Sequence, residues 1–277
     1  TVLTVGASGV DAFAGVNGPA DNADALGLSL TNVGFALAMM KAKPPAAPAV
    51  ATDLRSWTSL KATVGSATFV GIDGISVSVN SLTVEINKGA GTKNGVANNT
   101  VADFSRTPLR VITGGDGSFV DLDFDGGLGS LLRASGALVL TIGDFSVSGG
   151  FGIEKSESTK VTSGKTIKTS KLMIGAAGID LFLGDGAAPY DNSGDDTGVL
   201  VEDLQFGLVM YKELDVTNPA SPLPANSASP GSKMALVASG GASLLGIDGL
   251  ELSGTLELRK NDTGFTGRAC ISVRHMR

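Results

Sequence analysis

The residues of this chain best suited to chemistry are three aspartates in the segment Asp121-Leu-Asp-Phe-Asp-Gly126. The Asp-x-Asp-x-Asp-Gly pattern is typical of calcium loops, in which hard oxygen ligands converge on one ion. The same alternation of acidic and apolar residues also predicts a strand with an acidic outer stripe. Side chains two residues apart on a strand are roughly 6.5 Å apart, which is too far to surround one cation. The stripe is therefore favoured, and calcium is the alternative at Asp121, Asp123 and Asp125.

A second acidic cluster, Asp191-Asn-Ser-Gly-Asp-Asp-Thr-Gly198, has no apolar alternation and precedes a predicted strand. Asp and Asn side chains bond their own backbone in turns, so a plain loop explains the cluster. A calcium ion held at a junction explains it equally well. The metal candidates in this cluster are Asp191, Asp195 and Asp196.

Catalysis is limited by the residue types that the chain lacks. The only Cys and the only His are Cys270 and His275, close to the end of the sequence. The preceding residues therefore contain no Ser-His-Asp or Cys-His arrangement and no His-ligated metal site. Paired carboxylates, as in a glycosidase, are the remaining catalytic option. We expect a protein that is not an enzyme, with a carbohydrate-binding or carbohydrate-cleaving β-solenoid as the alternative.

The elements that position these residues show a period of two, which predicts strands with one buried face. Apolar residues alternate over Leu26–Leu30, and the alternation resumes in the opposite phase after Thr31-Asn32. The stretches 199–210 and 75–86 change phase in the same way. Because a slip of one residue turns every side chain to the other face, we expect a bulge or tight bend at each phase change. The best helix candidate, 53–62, is short.

The chain repeats itself with a period of about 170 residues. The segment Val5–Gly15 returns as Ile174–Gly184, and Phe35–Met40 returns as Phe206–Tyr211. A shorter unit reads as a strand, a Gly-containing turn, an alternating strand and a polar stop at Lys. It occurs three times, at Phe69–Lys88, Leu140–Lys155 and Leu245–Lys260.

These matches divide the chain into a first long repeat, 1–171, with an internal sub-unit at about 113–171. A partial second repeat covers 172–264, and a non-repeat tail, which we interpret as foreign or truncated sequence, covers 265–277. Gly-rich strands in a long tandem repeat predict an all-β fold, specifically an elongated β-solenoid or stacked-sheet rod. Consecutive β-sandwich modules are the alternative.

The charge and the composition of the chain limit which binding partners are expected. The formal net charge is −6, which disfavours nucleic acid because phosphates require a Lys/Arg surface. No apolar run reaches the roughly 18 residues that a membrane-spanning helix needs. The near absence of Cys fits an exported chain. A repeat array is expected to contact neighbouring repeats or further copies of itself, and cell-surface glycans or other cells are the remaining candidates.

Three segments carry a family resemblance: Ile174–Gly184, Gly198–Met210 and Gly143–Lys155. They resemble tandem repeats of very large bacterial secreted or surface proteins, the adhesin-like chains with long Gly/Asp-rich arrays, some with an N-terminal LEPR-XLL segment. The similarity runs from Thr1 to about Gly264. It implies an elongated protein of the bacterial surface or extracellular space, often stiffened by calcium. The expected function is a non-enzymatic structural repeat segment of an adhesin or extracellular filament.

Overall fold

The computed structural model describes residues 1–46, 52–72, 75–186, 196–218, 222–225, 232–247, 250 and 252–263. These residues form an all-β structure whose only helical element is a single 3-10 turn at Gly126–Leu128. The fifteen strands are β1 (Val2–Val16), β2 (Leu26–Lys41), β3 (Ser56–Val70), β4 (Ile75–Ala90), β5 (Thr92–Lys93), β6 (Val96–Ala97), β7 (Leu109–Ile112), β8 (Phe119–Leu122), β9 (Ser130–Ile142), β10 (Phe145–Thr162), β11 (Lys165–Asp185), β12 (Thr197–Asp215), β13 (Leu223–Pro224), β14 (Lys233–Leu245) and β15 (Leu252–Asn261).

Ten long strands form one antiparallel sheet in the order β1-β2-β3-β4-β9-β10-β11-β12-β14-β15, and β13 adds a short pairing to β12. Each long strand pairs with the long strand before it and the one after it, so the sheet is a meander that begins at β1 and ends at β15. The all-β prediction is confirmed. Both copies of the repeat lie in this one sheet, and the expected boundary between residues 171 and 172 falls inside β11.

The segment 53–62, which was only a weak candidate for a helix, belongs mostly to strand β3 (Ser56–Val70), in agreement with the all-β prediction. Trp57 lies opposite Met40 of β2 and Gly89 of β4, so both sides of the strand are hydrogen-bonded into the sheet. The segment is rich in Thr, Ser, Val and Trp, and β-branched and aromatic side chains suit a pleated surface. Tertiary pairing therefore outweighs a helical spacing of three apolar residues.

The phase changes in the sequence are β-bulges, as predicted. Asn32, Ser81 and Asp203 have positive φ values of 52°, 52° and 49° within strands β2, β4 and β12. Register shifts accompany bulges in five of the nine consecutive pairs of long strands. Through the strand registers these positions line up across the sheet, and we call this line the bulge row.

A glycine, Gly65 of β3, lies opposite the bulge at Asn32 of β2. A Cβ atom at Gly65 would be 3.1 Å from the Cβ of Asn32 and 3.3 Å from the carbonyl oxygen of Thr31. These distances are shorter than ordinary van der Waals contact, so a side chain at position 65 would push the bulged strand away. Gly136 and Gly240 occupy corresponding places opposite β4 and β12.

The segment Thr162-Ser-Gly-Lys165, whose sequence predicts an exposed hairpin tip, forms that tip between β10 and β11. β10 ends at Thr162 and β11 begins at Lys165, which leaves a two-residue turn. Ser163 and Gly164 have φ values of 52° and 75°, the left-handed conformation of a type I′ turn. Such turns match the twist of the flanking strands, so this hairpin forms from local sequence.

The insertion between β4 and β9, residues 91–129, folds back over one face of the sheet, and we call it the cap. Leu122 and Phe124 of the cap pack on the small side chains of β2, and a Cβ at Gly6 of β1 would be 2.3 Å from the carbonyl oxygen of Ile112. The cap can approach the sheet this closely only because these positions are small. The core under the cap comprises Ala36, Ala38, Val111, Leu122, Phe124 and Leu131, and a second, smaller buried cluster consists of Phe182, Leu200 and Leu245.

A buried amide fastens the cap to the sheet. Asn87 of β4 is fully buried; its Nδ2 donates to the carbonyl oxygen of Ala102 at 2.8 Å, and its Oδ1 accepts from the hydroxyl of Ser59 at 3.0 Å. Buried polar groups are stabilising only when they are hydrogen-bonded, so this pair specifies where the cap sits.

Much of the sheet outside the cap is open. The chain exposes 17265 Å² of surface, whereas a compact monomer of its mass exposes about 11000 Å². Large apolar side chains are exposed at both ends of the strand order, including Val2 of β1 and Leu256 of β15. No helix among the described residues is long and apolar enough to cross a membrane.

Candidate functional site

The densest charged cluster is a row of five side chains across β3, β4, β9, β10 and β11, next to the cap. Strand register places Lys61 opposite Glu85, Glu85 opposite Arg133, and Arg133 opposite Glu154. Lys171 completes the row from β11. We call Lys61, Glu85, Arg133, Glu154 and Lys171 the charge ladder.

Arg133 is the centre of the charge ladder. Its Nη1 lies 2.8 Å from Glu85 Oε2, and its Nη2 and Nε lie 2.8 and 3.1 Å from Glu154 Oε2. The two Glu side chains are only 13% and 11% exposed. Burial works against the charged guanidinium, but the hydrogen bonds to Glu154 and Glu85 outweigh it and raise the pKa of Arg133.

The outer carboxylate oxygens of the charge ladder face lysines. Lys61 Nζ lies 3.8 Å from Glu85 Oε1, and Lys171 Nζ lies 3.4 Å from Glu154 Oε1. The paired carboxylates of the sheet are thus engaged with cations on both sides, and Lys61 also contacts Asp123 of the cap at 3.3 Å. This arrangement connects five neighbouring strands through ion pairs.

A different arrangement, made of a glycine, an aspartate and a backbone N–H, occurs in both copies of the repeat and holds the bulges in place. In the first copy, Gly9 has a φ of 63°, and Asp11 Oδ1 accepts the backbone N–H of Asn32 at 2.9 Å. In the second copy, Gly178 has a φ of 57°, and Asp180 Oδ1 accepts the backbone N–H of Asp203 at 3.1 Å. We call each set of three residues a bulge clasp.

The bulge clasp satisfies a backbone donor that the register shift removes from the ladder of strand hydrogen bonds. An unpaired backbone N–H costs free energy comparable to a lost hydrogen bond. Asp11 and Asp180 therefore have the same structural role in the two copies.

Replacing Asp180 by Ala should lower the protection of the Asp203 amide by about 1 kcal/mol, because the donor loses its acceptor. Hydrogen exchange followed by mass spectrometry measures this change. Asp11→Ala is the matched variant: it should weaken protection around Asn32 and leave β12 unchanged. Equal loss of protection in both copies from either variant would contradict a local role.

The three aspartates of the calcium candidate point to different partners. Asp121 binds Arg110 of the neighbouring strand through two hydrogen bonds of 3.0 and 3.2 Å. Asp123 contacts Lys61, and Asp125 Oδ1 accepts the backbone N–H of Gly127 at 2.7 Å as the N-cap of the 3-10 turn. The apolar residues between them, Leu122 and Phe124, enter the core of the cap, and of the three aspartates only Asp121 lies in strand β8.

The Arg110 guanidinium, through its hydrogen bonds, holds the pKa of Asp121 below its usual value. Replacing Arg110 by Met should raise that pKa toward the value of a free Asp. Because a depressed pKa means that the folded form favours the carboxylate, the stabilising effect of the pair is present above pH 4 and is lost as pH falls further. A carboxyl-carbon NMR titration of both proteins measures the change; an unchanged midpoint for Asp121 would contradict this assignment.

Of the second acidic cluster, Asp191 and Asp195 lie outside the described residues. Asp196 is described and is 5% exposed, immediately before β12. A Cβ at Gly186 would be 2.0 Å from Asp196 Oδ1, so the end of β11 closes over this carboxylate. Within the described ranges, no three His, Cys, Asp or Glu side chains are grouped closely enough to hold a metal ion.

A depression of 530 Å³ lies over the bulge row between β12, β14 and β15. It is open to solvent and contains the carboxylates Glu202, Asp203 and Glu257. None of the eight residues that line it is aromatic, whereas sugar rings are commonly held on aromatic faces. Carboxylates line this depression, as the carbohydrate alternative requires, but an aromatic stacking surface is absent from its lining residues.

No protein-family model, curated protein or solved structure matches this chain.

Sequence reasoning located the acidic stripe and the bulges but missed the charge ladder and the bulge clasps. Arg133 is 48 residues from Glu85 and 21 residues from Glu154, so only the strand order brings the three together. The bulge clasps could have been found from the repeated segment, because Asp11 recurs as Asp180, each two residues after a glycine, Gly9 or Gly178.

Proposed function

We propose that the chain is a non-enzymatic structural segment of a large extracellular protein of the bacterial surface, an adhesin or an extracellular filament. The observation that supports this most directly is the bulge clasp, which recurs with the same residue roles 169 to 171 positions later in the same sheet. A protein whose elements repeat in this way is an array, and an array extends by adding units.

In this proposal the repeats build an elongated rod in which strands lie side by side and each strand contacts only its neighbours. Stability then accumulates from strand pairs, bulge clasps and cross-strand ion pairs, and no single site is central. The engagement of Glu85 and Glu154 by Arg133 is consistent with this role, because a hydrolase would need carboxylates free to exchange protons with a substrate.

The location is tested with antibodies raised against the purified chain. They should label intact, unpermeabilised cells of the source bacterium, with a cytoplasmic protein as the control that remains unlabelled. Labelling that requires permeabilisation would contradict a surface protein.

Calcium stiffening belongs to the same proposal, with the six aspartates named above as candidate ligands. Among the described ones, Asp121, Asp123 and Asp125 do not converge, so a calcium ion would have to displace Arg110 and Lys61. Thermal unfolding with excess calcium and then with chelator tests it. An upward shift of several degrees in calcium supports the proposal, and an unchanged midpoint leaves the acidic stripe as solvated surface.

The alternative is a carbohydrate-binding or carbohydrate-cleaving protein that uses paired carboxylates. Glu202 and Glu257, in the depression over β12 and β15, are the described pair that is open to solvent. Retention on a glycan array that is lost in Glu202→Gln would favour this alternative, and no retained sugar would end it.

A further inference from the structure

The sheet ends in two strands, β1 and β15, that have one neighbour each in the described part of the chain. β1 exposes Val2 and Leu3 at 57% and 55%, and β15 exposes Leu256 at 74%. β1 carries a single charged residue, Asp11, over its fifteen positions. Natural sheets protect free edges with charges or cover them, because an open row of N–H and C=O groups pairs with other strands. The β1 edge lacks that protection.

The two edge strands correspond to strands that already pair within the chain. β15 follows β10 position by position, 105 residues later, without insertion. The matching pairs are Val147 and Leu252, Ser148 and Ser253, Gly149 and Gly254, Phe151 and Leu256, Ile153 and Leu258, and Lys155 and Lys260. β1 corresponds to β11 in the long repeat, 169 residues earlier, so Val5 corresponds to Ile174 and Ala7 to Ala176.

The β10–β11 interface shows how such strands meet. Ile153 lies opposite Ile174, Phe151 opposite Ala176, and the register shifts by one residue between Ser148 and Gly150. This is an antiparallel pairing of seventeen positions in the middle of the sheet. The two strands of this interface correspond to the two edge strands of the sheet: β10 corresponds to β15, and β11 corresponds to β1.

We propose that a second copy of this chain adds to the sheet edge to edge, with β15 of one copy antiparallel to β1 of the next in the register of β10 and β11. Leu258 then lies opposite Val5, Leu256 opposite Ala7, and Leu252 opposite Ala12. The inference rests on the proposed function in treating the chain as a unit of an array. Because the two surfaces differ, the contact is heterologous and leaves one free edge on each end of a pair of copies, and we propose that further copies add there to extend an open ribbon.

The charges of the two edges are compatible with this pairing. Glu257 lies opposite Gly6, Arg259 opposite Thr4, and Lys260 opposite Leu3, so no like charges are opposed. Asp11 keeps its bulge clasp, since Asp180 holds the same clasp while its strand is paired to β10 on the other side. Apolar side chains that are exposed in the single chain become cross-strand neighbours.

Two edge-blocking variants test the proposal by sedimentation velocity at submillimolar concentration. The unmodified chain should form a series of oligomers that lengthens with concentration. Val5→Lys blocks the β1 edge and Leu258→Lys blocks the β15 edge; each alone should lose all species above the monomer. An equimolar mixture should give a dimer of one copy of each and nothing larger, because each variant keeps one intact edge.

The contrary outcomes are distinct. A dimer of Val5→Lys alone would show β15 pairing with β15, and a monomeric unmodified chain would show that other segments cover these edges; either overturns the proposal. Leu132→Lys, at an exposed position inside the sheet, is the control for the added charge and should leave the oligomers intact. Circular dichroism checks that each variant folds.

Disulfide trapping provides a second measurement that does not depend on a disruptive charge. In a Cys270→Ser background, mixing Val5→Cys with Leu258→Cys should yield a disulfide-linked dimer at least tenfold faster than mixing Thr4→Cys with Leu258→Cys, since residue 4 faces the other side. Equal rates would overturn the register. Surface labelling of cells can succeed while the trapping fails, so the failure of this inference is distinguishable from failure of the proposed function.

Discussion

Replacing Leu131 by Ala should lower the free energy of unfolding of the cap region by about 3 kcal/mol. Leu131 is 4% exposed and belongs to the core that Leu122 and Phe124 of the cap form with β2. Truncation removes buried apolar surface and leaves a cavity that the flanking strands cannot fill without breaking register. Urea unfolding followed by the fluorescence of Trp57, the only tryptophan, measures the loss, because Trp57 donates a hydrogen bond to Thr100 of the cap at 3.1 Å.

The next residue supplies a matched control. Leu132 lies on the same strand but on the opposite face, where it is 47% exposed. Leu132→Ala should cost less than about 1 kcal/mol, since surface substitutions leave no cavity. Equal effects at the two positions would mean that the cap does not pack on this face of β9.

Replacing Arg133 by Met should lower the free energy of unfolding by about 2 kcal/mol at neutral pH. Removing one member of a buried ion pair lowers the free energy of unfolding by about 3 to 5 kcal/mol. The loss is smaller here because the Arg133 guanidinium is partly exposed. Glu85 and Glu154 would be left on adjacent sides of an apolar side chain, each with only one lysine at a longer distance. Denaturant unfolding of the two proteins measures the difference.

Arg110→Met is the control for that experiment, because Arg110 also forms a two-bond pair with an aspartate but is 58% exposed in its side chain. Its removal should lower the stability much less than the removal of Arg133, because solvent screens an exposed ion pair. A double-mutant cycle with Glu85→Gln separates the pairing energy from the loss of packing. A coupling near zero would contradict the charge ladder as a brace.

The features that could be predicted from the sequence are those determined by residues close together in the chain, namely the bulges and the hairpin turn. The change of phase at Asn32 and Asp203 marks bulges because a strand alternates strictly, and any interruption of that alternation must appear as an extra residue. The turn at Ser163 and Gly164 is set by two residues that accept positive φ. These features depend on neighbours in the chain, and both are confirmed.

What could not be predicted depends on which strands become neighbours. The charge ladder requires β4, β9 and β10 to be adjacent although the cap separates the first two, and no local pattern indicates that adjacency. The helical spacing within 53–62 was ambiguous for the same reason, since the pairing of β3 with β2 and β4 determines the conformation of this segment. Asp121, Asp123 and Asp125 were weighed as an acidic stripe against a calcium loop, and the sequence did not indicate their partners Arg110 and Lys61, which lie on other elements.

The bulge row has a mechanical consequence. It runs perpendicular to the strands, so in a ribbon of edge-paired copies it would follow the long axis from one copy to the next. Bulged strands bend where the extra residue sits, so the row is a lengthwise crease. A strip with a lengthwise crease resists bending of its long axis better than a flat strip of the same thickness. The reason is that the crease places part of the cross-section farther from the plane about which the strip bends. The interruptions in strand alternation would thus make a sheet one layer thick behave as a stiff beam.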